Sequence, residues 1–99
     1  MFLMGRLAEV LASSSALKEI AARHGASRLA VFGSVARGED GPESDVDLLF
    51  EFSEPGKTLG SMIDMQIEFE RQLGCKVDVV TWTGLRDRDG HVSAEAILL

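Results

Sequence analysis

Asp45 and Asp47 stand two residues apart in the run Ser44-Asp45-Val46-Asp47-Leu48-Leu49-Phe50-Glu51-Phe52. Alternate side chains of a strand share a face, which sets Asp45, Asp47, Leu49 and Glu51 against Val46, Leu48, Phe50 and Phe52. The strand expected over Asp45 to Phe52 thus has one apolar face and one bearing acids. Carboxylates this close repel each other. A hard divalent cation, Mg²⁺ in particular, relieves the repulsion and keeps water positions for a phosphate-bearing substrate. Asp78 lies inside a second strand pattern, Lys76-Val77-Asp78-Val79-Val80-Thr81, where an acid is a poor strand former. A sheet neighbour would bring it to the same edge as the pair, and three carboxylates suit two metal ions.

Upstream, Phe32-Gly33-Ser34-Val35-Ala36-Arg37-Gly38 follows an apolar run. Ser34 to Arg37 opens a helical turn whose free N–H groups face an anion. Gly33 lets backbone approach phosphate without a Cβ, Ser34 offers a hydroxyl, and Arg37 offers charge. Plainer readings compete: a solvated strand face for Asp45 and Asp47, an ion pair of Asp78 with Lys76 or Arg86, and a surface pairing of Arg37 with Glu39 or Asp40. Gly60-Ser61 with Asp64 has no strand before it and reads as a helix start. His24 and His91 lack companions at ligand spacing, so zinc is not expected. Glu51, Glu54, Glu68 and Glu70 read as solvent-facing.

These groups need a scaffold. Leu3, Leu7, Val10 and Leu11 predict a first helix ending near Ala12. Ser14 or Ser15 caps a second, from about Ser15 to His24, with Leu17, Ile20 and Ala21 on one face. Arg28 to Phe32 reads as a strand inside the sheet, and Gly38 to Ser44 as an exposed loop. Leu59 to Leu73 is helical, with Met62, Ile63, Ile67, Phe69 and Leu73 as its apolar positions and Gly74 as its stop. Gly84 to Gly90 is turn-rich, and a short terminal helix is expected within His91 to Leu99. The fold class is α+β, a small sheet flanked by helices.

With 99 residues, 45% of them hydrophobic and 26% charged, the chain matches one domain with a packed core. The net charge of -6 opposes unaided binding to nucleic acid or anionic membranes. A single cysteine, Cys75, forms no internal disulfide and reads as a small buried apolar residue. Apolar Met1 to Met4 is followed at once by Gly5 and Arg6, far short of a signal peptide, and a cytoplasmic location is expected.

Taken together, Gly33-Ser34-Val35-Ala36-Arg37-Gly38, Ser44-Asp45-Val46-Asp47-Leu48 and Val77-Asp78-Val79-Val80 resemble the signature of the DNA polymerase β-like nucleotidyltransferase superfamily. Within it the chain is most similar to the minimal nucleotidyltransferases, the MntA-like antitoxins paired with HEPN-domain toxins. The likeness runs from about Leu29 through Val80.

That resemblance implies a nucleotide triphosphate held at Gly33 and Ser34, and Mg²⁺ held by Asp45 and Asp47. It makes Asp78 a third metal ligand or an aid to deprotonating the acceptor. It implies transfer of AMP from ATP to a hydroxyl of the partner toxin, commonly a tyrosine, with release of pyrophosphate. Larger relatives carry further domains for base and acceptor, so here a partner protein is expected to present the acceptor, in a hetero-oligomer. Met1 to Met4 and Ile97 to Leu99 are apolar material for that interface. Two other readings stand beside it: an antitoxin that acts by occlusion alone, and a nucleotidyltransferase acting on a small molecule.

Overall fold

The computed structural model describes residues 6–38, 45–53, 59–83 and 96–99. Its elements run α1 (Arg6–Ala12), α2 (Ser14–Arg23), β1 (Ala26–Phe32), α3 (Gly33–Arg37), β2 (Val46–Phe52), α4 (Leu59–Leu73), β3 (Val77–Thr81) and β4 (Ile97–Leu98). Among the described residues the strands form one mixed sheet in the order β3-β2-β1-β4. β1 pairs antiparallel with β2 and β4, and β2 runs parallel to β3, joined to it through α4. The expected α+β class and the interior position of the first strand both hold.

Alternation decides what each sheet face meets. Val46, Leu48 and Phe50 of β2 and Leu29 and Val31 of β1 join Leu17 of α2 and Met65 and Phe69 of α4 in the main core. Phe50 is fully buried and meets Phe52 edge-to-face, ring centroids 5.0 Å apart. Truncation of Phe50 to Ala should cost about 3–5 kcal/mol, read from denaturant melts, because a fully packed aromatic leaves a cavity. On the opposite face Ala30, Phe32 and Leu49 form a smaller cluster with Val80, Trp82 and Ala96 packed on it. Leu49 therefore shares the acid-bearing face, as the alternation required.

Several expectations are corrected. Residues 97–98 form strand β4, its backbone paired to Ala30 and Val31, where a terminal helix was expected; residues 91–95 lie outside the described residues. Pairing to an open sheet edge outweighs helical propensity in so short a segment. α2 begins at Ser14, one residue before the expected start, and the residue at its N-cap is Ser13, with no side-chain cap bond. The Ser13 N–H instead bonds back to the carbonyls of Glu9 and Val10, so α1 runs almost directly into α2. On α4, Met65 and Phe69 are the buried residues, while Ile63 and Ile67 are 49% and 41% exposed. The apolar arc is wider than the sheet it covers.

Glu68 and Glu70 are half-buried and partnered. Glu68 bonds Arg23 and His24 of the neighbouring helix, and Glu70 accepts the Val77 N–H at 3.1 Å. At the sheet edge, Ile97 and Leu99 pack on the core while Leu98 is exposed. Met1 to Met4, residues 39–44 and 84–90, and Glu54 lie outside the described residues. No helix among the described residues is long and apolar enough to cross a membrane.

Candidate active site

The register of the sheet assembles the acids. Phe32 of β1, Asp47 of β2 and Asp78 of β3 lie side by side as backbone partners across three strands. Parallel neighbours present equivalent side chains on one face, so residues 31 positions apart in the chain become adjacent. Asp45 precedes β2 by one residue and is half-buried, as is Asp47; Asp78 is exposed.

β1 ends where Gly33 opens α3, and the turn depends on glycine twice. Gly33 has φ +76, and a Cβ there would stand 2.5 Å from Asp47 Oδ2. The backbone of the Gly-Ser turn is thus pressed against the carboxylate that the strand register places beside it. Ser34 follows, half-buried in the first turn of α3. The helix ends at Gly38, whose N–H bonds the Val35 carbonyl at 3.1 Å.

Crowded negative charge marks the centre of this arrangement. The Asp47 carboxyl is pushed up from 3.8 to about 6, first by burial and then by the charges of Asp78 and Asp45, with Arg37 opposing. Arg37 therefore acts electrostatically on the site, beyond the surface pairing its sequence context also allowed. Glycine turn, hydroxyl, arginine and three carboxylates are gathered at one end of the sheet. Such a set can hold the phosphates of a nucleotide on one side and all-oxygen ligands for a cation on the other.

Residues 13–97 match the model of the nucleotidyltransferase domain family. This chain belongs to that family. The nucleotidyltransferase is 39% identical over 69 residues to protein adenylyltransferase MntA of Thermococcus cleftensis, covering 70% of this chain and 69% of the relative. It is 43% identical over 63 residues to Methanocaldococcus jannaschii MJ0435, provisionally named a protein adenylyltransferase, covering 64% and 67% of the two chains. A solved structure assigned provisionally as a minimal nucleotidyltransferase superposes with a TM-score of 0.81 at 44% identity, covering 97% of each chain.

Which residues of the nucleotidyltransferase could hold a cation follows from donor chemistry. Asp47, Asp78 and Asp45 supply only carboxylate oxygens; burial first, then the charges of Asp78 and Asp45, raise the Asp47 carboxyl, and Arg37 offsets them only in part. That fits Mg²⁺, which takes one or two carboxylates and completes its shell with water and phosphate oxygens. Among the described residues no three His, Cys, Asp or Glu side chains converge on one point, so the acids form an open set and no closed cage.

The remaining candidates sort cleanly. His24 caps α2 and bonds Glu68, a structural role. Cys75 is half-buried against the core, and burial pushes its thiol up. Gly60-Ser61 lies in the first turn of α4. Glu51, on the acid-bearing face, pairs with Arg28 at 3.0 Å. Sequence reasoning missed Arg28 and Trp82. The Trp82 indole N–H donates to the Arg28 carbonyl at 2.8 Å, and the Arg28 guanidinium stacks over the Trp82 ring at 4.8 Å. The sole tryptophan, directly after the strand that carries Asp78, was the available signal.

Proposed function

We propose that this nucleotidyltransferase transfers AMP from ATP to a protein hydroxyl, a tyrosine of a HEPN-domain toxin, and thereby acts as that toxin's antitoxin. The observation that carries the reading is the lateral placement of Asp78 against Asp47 beside the Gly33 turn. The name of the Thermococcus cleftensis relative supports adenylyl transfer to protein, and the sequence signature supports the toxin partner.

The chemistry divides among named groups. The backbone at Gly33, the Ser34 hydroxyl and the Arg37 guanidinium bind the triphosphate. Asp45 and Asp47, with Asp78 beside them, would hold Mg²⁺, two ions in the full complex, and the cation would supply charge neutralisation on the phosphates. Asp78, the exposed carboxylate, would serve as a further metal ligand or help take the acceptor's proton. The acceptor oxygen bonds to the α-phosphorus, the bond from that phosphorus to the bridging oxygen breaks, and pyrophosphate leaves.

Two measurements test this assignment. Mg²⁺ relieves repulsion among the acids, so the melting temperature should rise with Mg²⁺ and further with Mg²⁺ plus ATP. The gain is about 2.7 kcal/mol at a hundredfold excess over Kd. A melting temperature indifferent to both would remove the nucleotide site. In cells, coexpression should rescue growth from the toxin, while Asp45→Asn and Asp78→Asn should weaken rescue yet still co-purify with it. Full rescue by both variants would mean neutralisation by occlusion.

A further inference from the structure

Arg28 is the one non-glycine residue with positive φ among the described residues, at +52. It sits where the β1–β2 register slips between Ser27 and Ala30, a bulge that sets one extra residue of β1 against β2. Glycine is the usual occupant of such a position, and an arginine there costs about 1–2 kcal/mol of backbone strain. Three contacts hold the strained residue in place. Its carbonyl accepts the Trp82 indole N–H at 2.8 Å, its guanidinium lies 4.8 Å from the ring centroid, and Nη1 pairs with Glu51 at 3.0 Å.

The contacts span the sheet. Arg28 belongs to β1, Glu51 to β2, and Trp82 follows β3 directly, so the indole reaches across β2 to fasten β3 to β1. β3 stands at the sheet edge with one ladder partner among the described residues, β2. Its first residue is fixed by Glu70, and its far end by Trp82. Asp78 and Val80 share one face of β3, and Trp82, just past the strand's end, packs with Val80 on the cluster of Ala30, Phe32 and Leu49 on that face. The ladder with β2 sets the side to which Asp78 projects, and anchoring Trp82 to Arg28 holds the far end of the strand that carries it.

We propose that Arg28 and Trp82 are positioning residues for the transfer reaction, a clamp that sets the tilt of β3 and holds the Asp78 carboxylate on the side of Asp47. This rests on the proposed role of Asp78 in transfer. Arg28→Gly is the discriminating variant because glycine suits the bulge. The strain disappears along with the stacking and the ion pair, so thermal stability should change little. The turnover number should nonetheless fall about tenfold, since sub-ångström displacement of a reacting group is enough for losses of that order. KM for ATP should stay within about twofold, because the Gly33 turn is untouched. Trp82→Phe keeps the ring and removes the N–H; it should show a similar fall, and the double variant should be no worse than either single one. Arg28→Lys, which keeps charge without the planar group, should recover only part of the loss.

Hydrogen exchange supplies a readout independent of activity: the amides of Val79 to Thr81 should exchange faster in Arg28→Gly, with those of α4 unchanged. Wild-type turnover in Arg28→Gly, or a loss of turnover matched by lowered melting temperature and faster exchange throughout the protein, would overturn the clamp. If the wild-type protein transfers no AMP, the proposed activity fails. Exchange at Val79 to Thr81 then still decides whether Arg28 and Trp82 hold the strand, and unchanged exchange there would overturn the clamp on its own.

Discussion

Asp47→Asn should give a protein that is more stable than the wild type and inactive. The free protein holds the Asp47 carboxyl at about 6, above its ordinary value of 3.8, so folding works against its ionised form. A carboxyl raised in the folded state favours the fold fully below the unfolded value of 3.8. That contribution is lost as pH rises through the folded value near 6. Asparagine, which carries no charge, should therefore add nothing at pH 3.5, gain steadily from about pH 4 to 6 and level off above. Allowing for solvent screening at a half-buried group, the plateau should be about 1 kcal/mol. Denaturant melts of both proteins across that range check it. Transfer should fall at least about 100-fold, because a neutral amide is a poor substitute for the carboxylate that would hold the cation offsetting charge on the phosphates. A variant that is destabilised at pH 7 would contradict the charge-crowding account.

Gly33→Ala should be the most damaging change of a single methyl group. Positive φ costs a residue with a Cβ about 1–2 kcal/mol, and here the new atom would also meet Asp47 Oδ2 at 2.5 Å. One of three things must move: the turn, the strand or the carboxylate. Stability should fall by about 2 kcal/mol and transfer by more than about tenfold, since the turn and Asp47 are displaced together. Gly74→Ala is the control. Gly74 has φ +70 but nothing within 4 Å of the added atom, so it should lose only the backbone term and keep its activity. Equal activity loss in both variants would show that backbone strain alone is at work.

Much of this was legible because alternation is a strict constraint. Once Val46, Leu48 and Phe50 must face the helices, Asp47 and Leu49 must face away, and no tertiary information is needed. The boundaries of α4 were equally plain, with Gly74 at its end. What the residues alone did not settle was which strands neighbour one another. A sheet partner for Asp78 was only a possibility, and the parallel register that sets it against Asp47 is a property of the assembled sheet. β4 stayed hidden because two residues carry no period, and Ile97 becomes a strand only by pairing with Val31. Arg28 was hidden for a different reason: nothing in its side chain signals a left-handed backbone, and the contacts that hold it come from residues 51 and 82.

Adenylyl transfer itself is tested most directly by intact-mass spectrometry of the proposed HEPN-domain partner incubated with this protein, ATP and Mg²⁺. The wild-type protein should add the mass of AMP to the partner, with fragment spectra placing it on a tyrosine, and pyrophosphate should appear in equal amount. Asp47→Asn and Asp78→Asn should leave the partner's mass unchanged while still binding it. An unmodified partner in the wild-type reaction, or undiminished labelling by Asp47→Asn, would contradict the account.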